Sequence, residues 1–128
     1  MRTITLRIEP SPTSNDHQVR IQIDGHDWLG ENYLGIDPPR FFSQSTLTTG
    51  GSAIVGRCEC GTMGCDDRIA DIVIESDEVT WNINKEYTLH FDKAAYLAQS
   101  PQLYKHWSLC QTNRVQRCRY WSRTYILP

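Results

Sequence analysis

The chain has no run of about 18 apolar residues, so it offers no membrane-spanning helix. Its N-terminus, M-R-T-I-T-L-R-I-E-P, alternates polar and apolar residues where a secretory leader would carry an apolar block. No lysine follows the glycines of Thr48-Thr49-Gly50-Gly51-Ser52, which excludes a phosphate-cradling P-loop and leaves that run as a flexible connector. No C-x-x-C pair occurs, and the five cysteines are an odd number without a paired framework. Reduced thiols and a cytoplasmic location are therefore the expectation. Acidic residues are absent from 101–128, and internal repeats and low-complexity tracts are absent throughout.

What is present suits one ordinary globular domain over residues 1–128. A chain of this length buries roughly two-thirds of its unfolded surface, enough for a core without staples. Charge is unevenly spread. Residues 58–92 hold nine acids against Arg68 and Lys85, about −7. Residues 101–128 hold Lys105, Arg114, Arg117, Arg119 and Arg123, about +5. The two parts either neutralise one another or present a partner surface of one sign.

Period-two alternation predicts strands over Thr3–Glu9, Gln18–Asp24, Ala53–Cys60, Val79–Ile83 and Tyr87–Phe91, and the β-branched run Arg68–Glu75 predicts a central strand. Asp24-Gly25 and Asn84-Lys85-Glu86 read as turns. Between two glycines, Trp28, Leu29, Tyr33 and Leu34 are expected to fold back onto the sheet. Asp37-Pro38 reads as the start of a short helix near 38–44, and Asp92 as the N-cap of a helical segment over 93–125. The fold class predicted is α+β: an antiparallel sheet of about six strands in a β-rich body (1–92), with C-terminal helices packed on one face.

Chemistry concentrates in Arg57–Asp67, R-C-E-C-G-T-M-G-C-D-D. Cys58, Cys60 and Cys65 offer three thiolates for zinc, and the fourth ligand would come from His17, His26, His90, His106, Cys110, Cys118 or Asp66. The competing reading ranks ahead: on an unbroken strand Ile54, Gly56, Cys58 and Cys60 share one face, so the cysteines fill the core while Gly61 and Gly64 shape the turn. A redox pair ranks last, because no C-x-x-C opens a helix. His106 with Cys110, and His90 with Asp92, are incomplete catalytic pairs, so no catalytic residue is assigned and no enzyme is expected. The C-terminal arginines with Trp107, Tyr120, Trp121 and Tyr125 suit single-stranded nucleic acid as an alternative.

Leu34–Phe42 (L-G-I-D-P-P-R-F-F), Val55–Cys65 (V-G-R-C-E-C-G-T-M-G-C), Val79–Trp81 (V-T-W) and Phe91–Tyr96 (F-D-K-A-A-Y) together resemble a group of small bacterial proteins of unassigned activity that carry these motifs in this order. The resemblance covers roughly residues 34–100, and the chain departs from the group after that. It implies a bacterial, cytosolic, β-rich single domain, and it brings no ligand or catalytic residue. The functional expectation is a non-enzymatic binding protein, an immunity- or inhibitor-type partner of a toxin or other protein. Its contact would be the acidic residues Asp66, Asp67, Asp71, Asp77 and Glu78. The alternative from another class is a structural zinc module built on the cysteine loop.

Overall fold

A computed structural model describes residues 1–11, 17–60 and 64–99. Among the described residues, eight strands run in chain order: β1 (Ile4–Pro10), β2 (His17–Ile23), β3 (His26–Asp27), β4 (Tyr33–Leu34), β5 (Gly51–Cys58), β6 (Arg68–Ile74), β7 (Glu78–Ile83) and β8 (Tyr87–Asp92). Two short helices, α1 (Pro38–Phe42) and α2 (Thr46–Thr49), separate β4 from β5, and a third, α3, occupies 93–99. The α+β class stands. The strands divide between two antiparallel sheets, β1-β2-β3 and β4-β5-β6-β7-β8.

Two single bridges join the sheets. Arg2 pairs in parallel with Phe91 on β8, and Val19 on β2 pairs with Ile36 just beyond β4. The second crossing depends on Gly35, where an added Cβ would lie 2.1 Å from the Val19 carbonyl oxygen. Only a residue without a side chain lets the two backbones approach this closely.

Alternation does what the pattern predicts. Ile4, Leu6 and Ile8 face Val19, Ile21 and Ile23 across the β1–β2 hairpin and are buried with them. Trp81 is 1% exposed, and it meets Phe91, Tyr96 and Trp28 edge-on at ring separations of 5.4, 6.1 and 6.3 Å. Trp28, Leu29 and Leu34 do fold back onto the sheets, with Leu29 and Leu34 buried. Helix α3 closes the core. Asp92 caps it through the Ala95 N–H at 3.0 Å, the Tyr96 hydroxyl donates to the Leu47 carbonyl at 2.6 Å, and Gln99 accepts from the Leu6 N–H at 3.3 Å. A cavity between Leu6, Phe41, Trp81, Tyr96 and Gln99 has room for no more than about one water.

The turns follow the backbone chemistry of their residues. Asp24 (φ 53°) with Gly25 (φ 83°), and Asn84 (φ 49°) with Lys85 (φ 61°), place two consecutive residues in the left-handed region. Asp24-Gly25 is a two-residue hairpin loop between the paired Ile23 and His26, whereas Asn84-Lys85 lies in a three-residue loop closed by the Glu86 N–H donating to the Ile83 carbonyl at 2.8 Å.

Two local expectations are corrected. Asp37 sits at the N-cap of α1 but makes no side-chain cap bond; Pro39 removes the N–H at the second helical position, one of the two donors such a cap uses. The expected connector over 48–52 is half helical: Thr48 and Thr49 belong to α2, after which Gly50 (φ 97°) and Gly51 (φ 120°) turn the chain into β5. The helical expectation beyond 99 lies outside the described residues. Among the described residues, no helix is long and apolar enough to cross a membrane.

Candidate metal centre

Strand β5 delivers the first thiol. Its pairing with β6 runs Ala53↔Ala70 and Ile54↔Ile69, then slips, so that Gly56 faces Arg68. The extra residue at this bulge is Val55, and Val55 and Gly56 are consecutively buried. The Gln44 carboxamide holds the bulge, accepting from the Ile54 N–H at 2.7 Å and donating to the Ile54 carbonyl at 2.9 Å. No periodicity signals this glutamine.

The bulge and the strand's end at Cys58 overturn the expectation that the cysteines point into the core. An unbroken period of two through residue 60 would be needed for Ile54, Gly56, Cys58 and Cys60 to share a face, and the chain does not supply it. Cys58 is half-buried, and Cys60 and Cys65 are exposed. None of the three is in a disulfide, and their sulfur atoms lie within 4.8 Å of one another.

The loop stems are tied from several sides. Tyr33 on β4 pairs with Cys58, and the Glu59 N–H donates to Asn32 at 3.2 Å. On the other stem both Asp67 carboxylate oxygens accept the Gly64 N–H, at 3.0 and 3.1 Å, around a glycine at φ 87°. Asn84, in the β7–β8 turn, donates to the Asp67 carbonyl at 3.3 Å and accepts from the Ile69 N–H at 2.7 Å. Further back, Arg20 grips the segment leading to β4. Its guanidinium bonds the Asp27 carboxylate through two nitrogens, the Gly30 carbonyl at 3.0 Å and the Tyr33 carbonyl at 2.7 Å. Arg20 therefore positions the strand that backs Cys58.

Beside the thiols the Tyr33 hydroxyl donates to Asp66 at 3.0 Å, and the Arg68 guanidinium lies 4.4 Å from the Tyr33 ring centroid. The bond to Asp66 is the main reason that Tyr33 titrates above its ordinary range. Cys65 is pushed up to about 11, first by its hydrogen bond with Cys60 and then by that with Cys58.

The donor set fits a soft cation. Thiolates suit zinc and copper(I), and tetrahedral zinc with sulfur at about 2.3 Å requires sulfur–sulfur edges of about 3.8 Å. Closing from 4.8 Å takes about 1 Å of movement, within reach of two side chains in a surface loop. Among the described residues no further histidine, cysteine or carboxylate joins the three. Asp66 is engaged by Tyr33. His26 lies on β3, in the other sheet, and His90 lies on β8, three strands from β5. His17 opens β2. His106, Cys110 and Cys118 lie outside the described residues, as do Trp107 and the C-terminal arginines of the nucleic-acid reading.

The acidic contact residues do not form one cluster. Asp66 and Asp67 stand at one end of β6 and Asp77 and Glu78 at the other, roughly 23 Å apart along a seven-residue strand. Asp71 lies between them and accepts from the Ser52 hydroxyl. Glu78 binds His90 Nδ1 at 2.7 Å, so His90 partners Glu78 while Asp92 caps α3. The low-ranked His90–Asp92 pairing is not formed.

The chain matches no family model, no curated protein and no solved structure among those compared.

Proposed function

We propose that the protein is a small non-enzymatic binding module whose surface loop takes up zinc through Cys58, Cys60 and Cys65. The observation that carries this is the convergence of three reduced thiols within 4.8 Å on a loop whose two stems are braced by Tyr33, Asp67 and Asn84. Zinc would supply a fixed cross-link between β5 and β6 and would hold the thiols as thiolates. Elemental analysis of the purified chain, followed by loading and dialysis, is the test. About one zinc per chain is expected, lost on Cys65→Ser, and a metal-free protein after loading ends the reading. Replacement by cobalt(II) adds an independent readout, because thiolate-to-cobalt charge-transfer absorption scales with the number of bound sulfurs.

A protein partner is the second reading, favoured by the outer face of β6 and β7. There Val73, 52% exposed, and Ile69, 39% exposed, stand beside Asp71 and Glu78. An apolar patch edged by acids suits a basic protein surface, the kind of contact an immunity- or inhibitor-type protein would make. Salt-sensitive binding that is lost in Asp71→Lys/Glu78→Lys supports it. Binding unchanged by that double variant removes it.

A further inference from the structure

We infer that the Cys58–Cys60–Cys65 centre is a peroxide-releasable metal site, in which oxidation joins Cys60 to Cys65 and expels the ion. The inference rests on the zinc reading above and adds a chemical reactivity to it.

Three features carry it. The sulfurs lie within 4.8 Å of one another, so a thiol that becomes oxidised has a second thiol at hand to resolve it. Accessibility separates the three. Cys60 and Cys65 are exposed, whereas Cys58 is half-buried at the end of β5 and paired with Tyr33. Sequence position then selects the bond: Cys60 and Cys65 lie in the segment between β5 and β6, so closing their sulfurs to about 2.05 Å moves loop and leaves the sheet pairing intact. A Cys58 bridge would pull on the β4–β5 pair. A fully enclosed four-cysteine site has neither the exposure nor the spare movement.

Zinc has no redox chemistry of its own, so both electrons come from sulfur. One bound thiolate attacks a peroxide oxygen, breaking the O–O bond to give a sulfenic acid and releasing the other oxygen as hydroxide. The second thiolate attacks that sulfenic sulfur and displaces a second hydroxide as the S–S bond forms. In sum, two thiolates and one hydrogen peroxide give one disulfide and two hydroxides. Two zinc–sulfur bonds are lost. Cys58 alone does not retain the ion, which leaves as the aqueous cation. A small-molecule dithiol reverses the disulfide by exchange and restores the donor set.

The test uses the full-length zinc-loaded protein with hydrogen peroxide added stepwise, a chromogenic chelator reporting free zinc. Free thiols are then alkylated and the chain is cut after arginine and after Glu59. Cys60 and Cys65 then stay together on the Cys60–Arg68 peptide while Cys58 separates. One zinc released per disulfide formed, an unalkylated Cys60–Arg68 peptide lighter by two hydrogens, and recovery of zinc binding after dithiothreitol are expected. In Cys58→Ser the same disulfide forms, and in Cys65→Ser that peptide is alkylated instead. Zinc retained in excess peroxide, a bridge to Cys58, or release accompanied by sulfinate without a disulfide overturns the inference. Failure of the zinc reading shows earlier and separately, as a chain that takes up no metal before peroxide is added.

Discussion

Replacing Gly35 by alanine tests the crossing that joins the two sheets. The added methyl would lie 2.1 Å from the Val19 carbonyl oxygen and 2.8 Å from its carbon. An ordinary carbon–oxygen contact is about 3.3 Å, so the backbones must part by about 1.2 Å. No rotamer relieves this, since the obstacle is main chain in the middle strand of its sheet. Parting breaks the Val19 N–H to Ile36 bond at 2.8 Å and the Gly35 N–H to Gln18 Oε1 bond at 2.8 Å. Each broken bond strands buried groups at about 1–3 kcal/mol. Alanine restricts the unfolded chain, which returns only about 0.4–1 kcal/mol. The net expectation is a loss of about 1–5 kcal/mol, with the middle of that range a large fraction of the 5–15 kcal/mol typical of a domain. Gly56→Ala is the matched control. Its methyl meets the Leu29 Cδ2 at 2.5 Å and the Arg68 Cβ at 3.3 Å, and the leucine side chain can rotate away. About 1 kcal/mol is expected there. Urea titrations followed by tryptophan fluorescence report both. A Gly35→Ala protein within about 1 kcal/mol of wild type, or less damaged than Gly56→Ala, refutes the steric argument.

Other expectations follow from the same geometry. Asp24 is held below the usual carboxylate range, first by the Thr3 N–H and then by Arg2. Its contribution is therefore complete above the unfolded value near 3.8 and disappears as pH falls through the lower folded value. Asp24→Asn keeps a residue tolerant of positive φ, so the stability gap between it and wild type is expected to close on acidification; a gap that stays constant with pH contradicts this. Burial pushes Tyr96 up to about 12, so its phenol ionises in the unfolded chain before it does so in the fold. Stability is then lost as pH rises past about 10, and phenolate absorbance from Tyr96 should appear only with unfolding. Tyr96→Phe strands the Trp81 N–H and the Leu47 carbonyl and is expected to cost about 1–3 kcal/mol by denaturant titration. Because Cys65 sits near 11 without an ion, zinc uptake must displace protons, and its affinity should rise from pH 6 to pH 8 in a chelator competition.

How far the fold could be read in advance depended on the kind of interaction. Strands and turns are local, and the alternation of Ile4, Leu6 and Ile8, the Asp24-Gly25 turn and the Asp92 cap are all written in adjacent residues. The division into two sheets is not local, since it rests on Gly35 meeting Val19 and on Arg2 meeting Phe91. Two-residue strands such as β3 and β4 are too short to show a period. The cysteine loop is visible as a motif, but its orientation is not, because one extra residue at Val55 breaks the alternation. Gln44 and Arg20, which hold the bulge and the β4 approach, act through side-chain bonds to distant backbone that no hydropathy pattern encodes.

The contact between Leu6 and Gln99 spans 93 positions in sequence. During synthesis at roughly 5–20 residues per second, β1 leaves the ribosome several seconds before the helix that closes over it. The β5–β8 meander, whose partners are sequence neighbours, has a short entropic path and can assemble as soon as it emerges. The N-terminal hairpin must meanwhile wait with Ile4, Leu6 and Ile8 uncovered. Strand β1 is thus made before the meander and enclosed after it, and through that interval its apolar face stays in water.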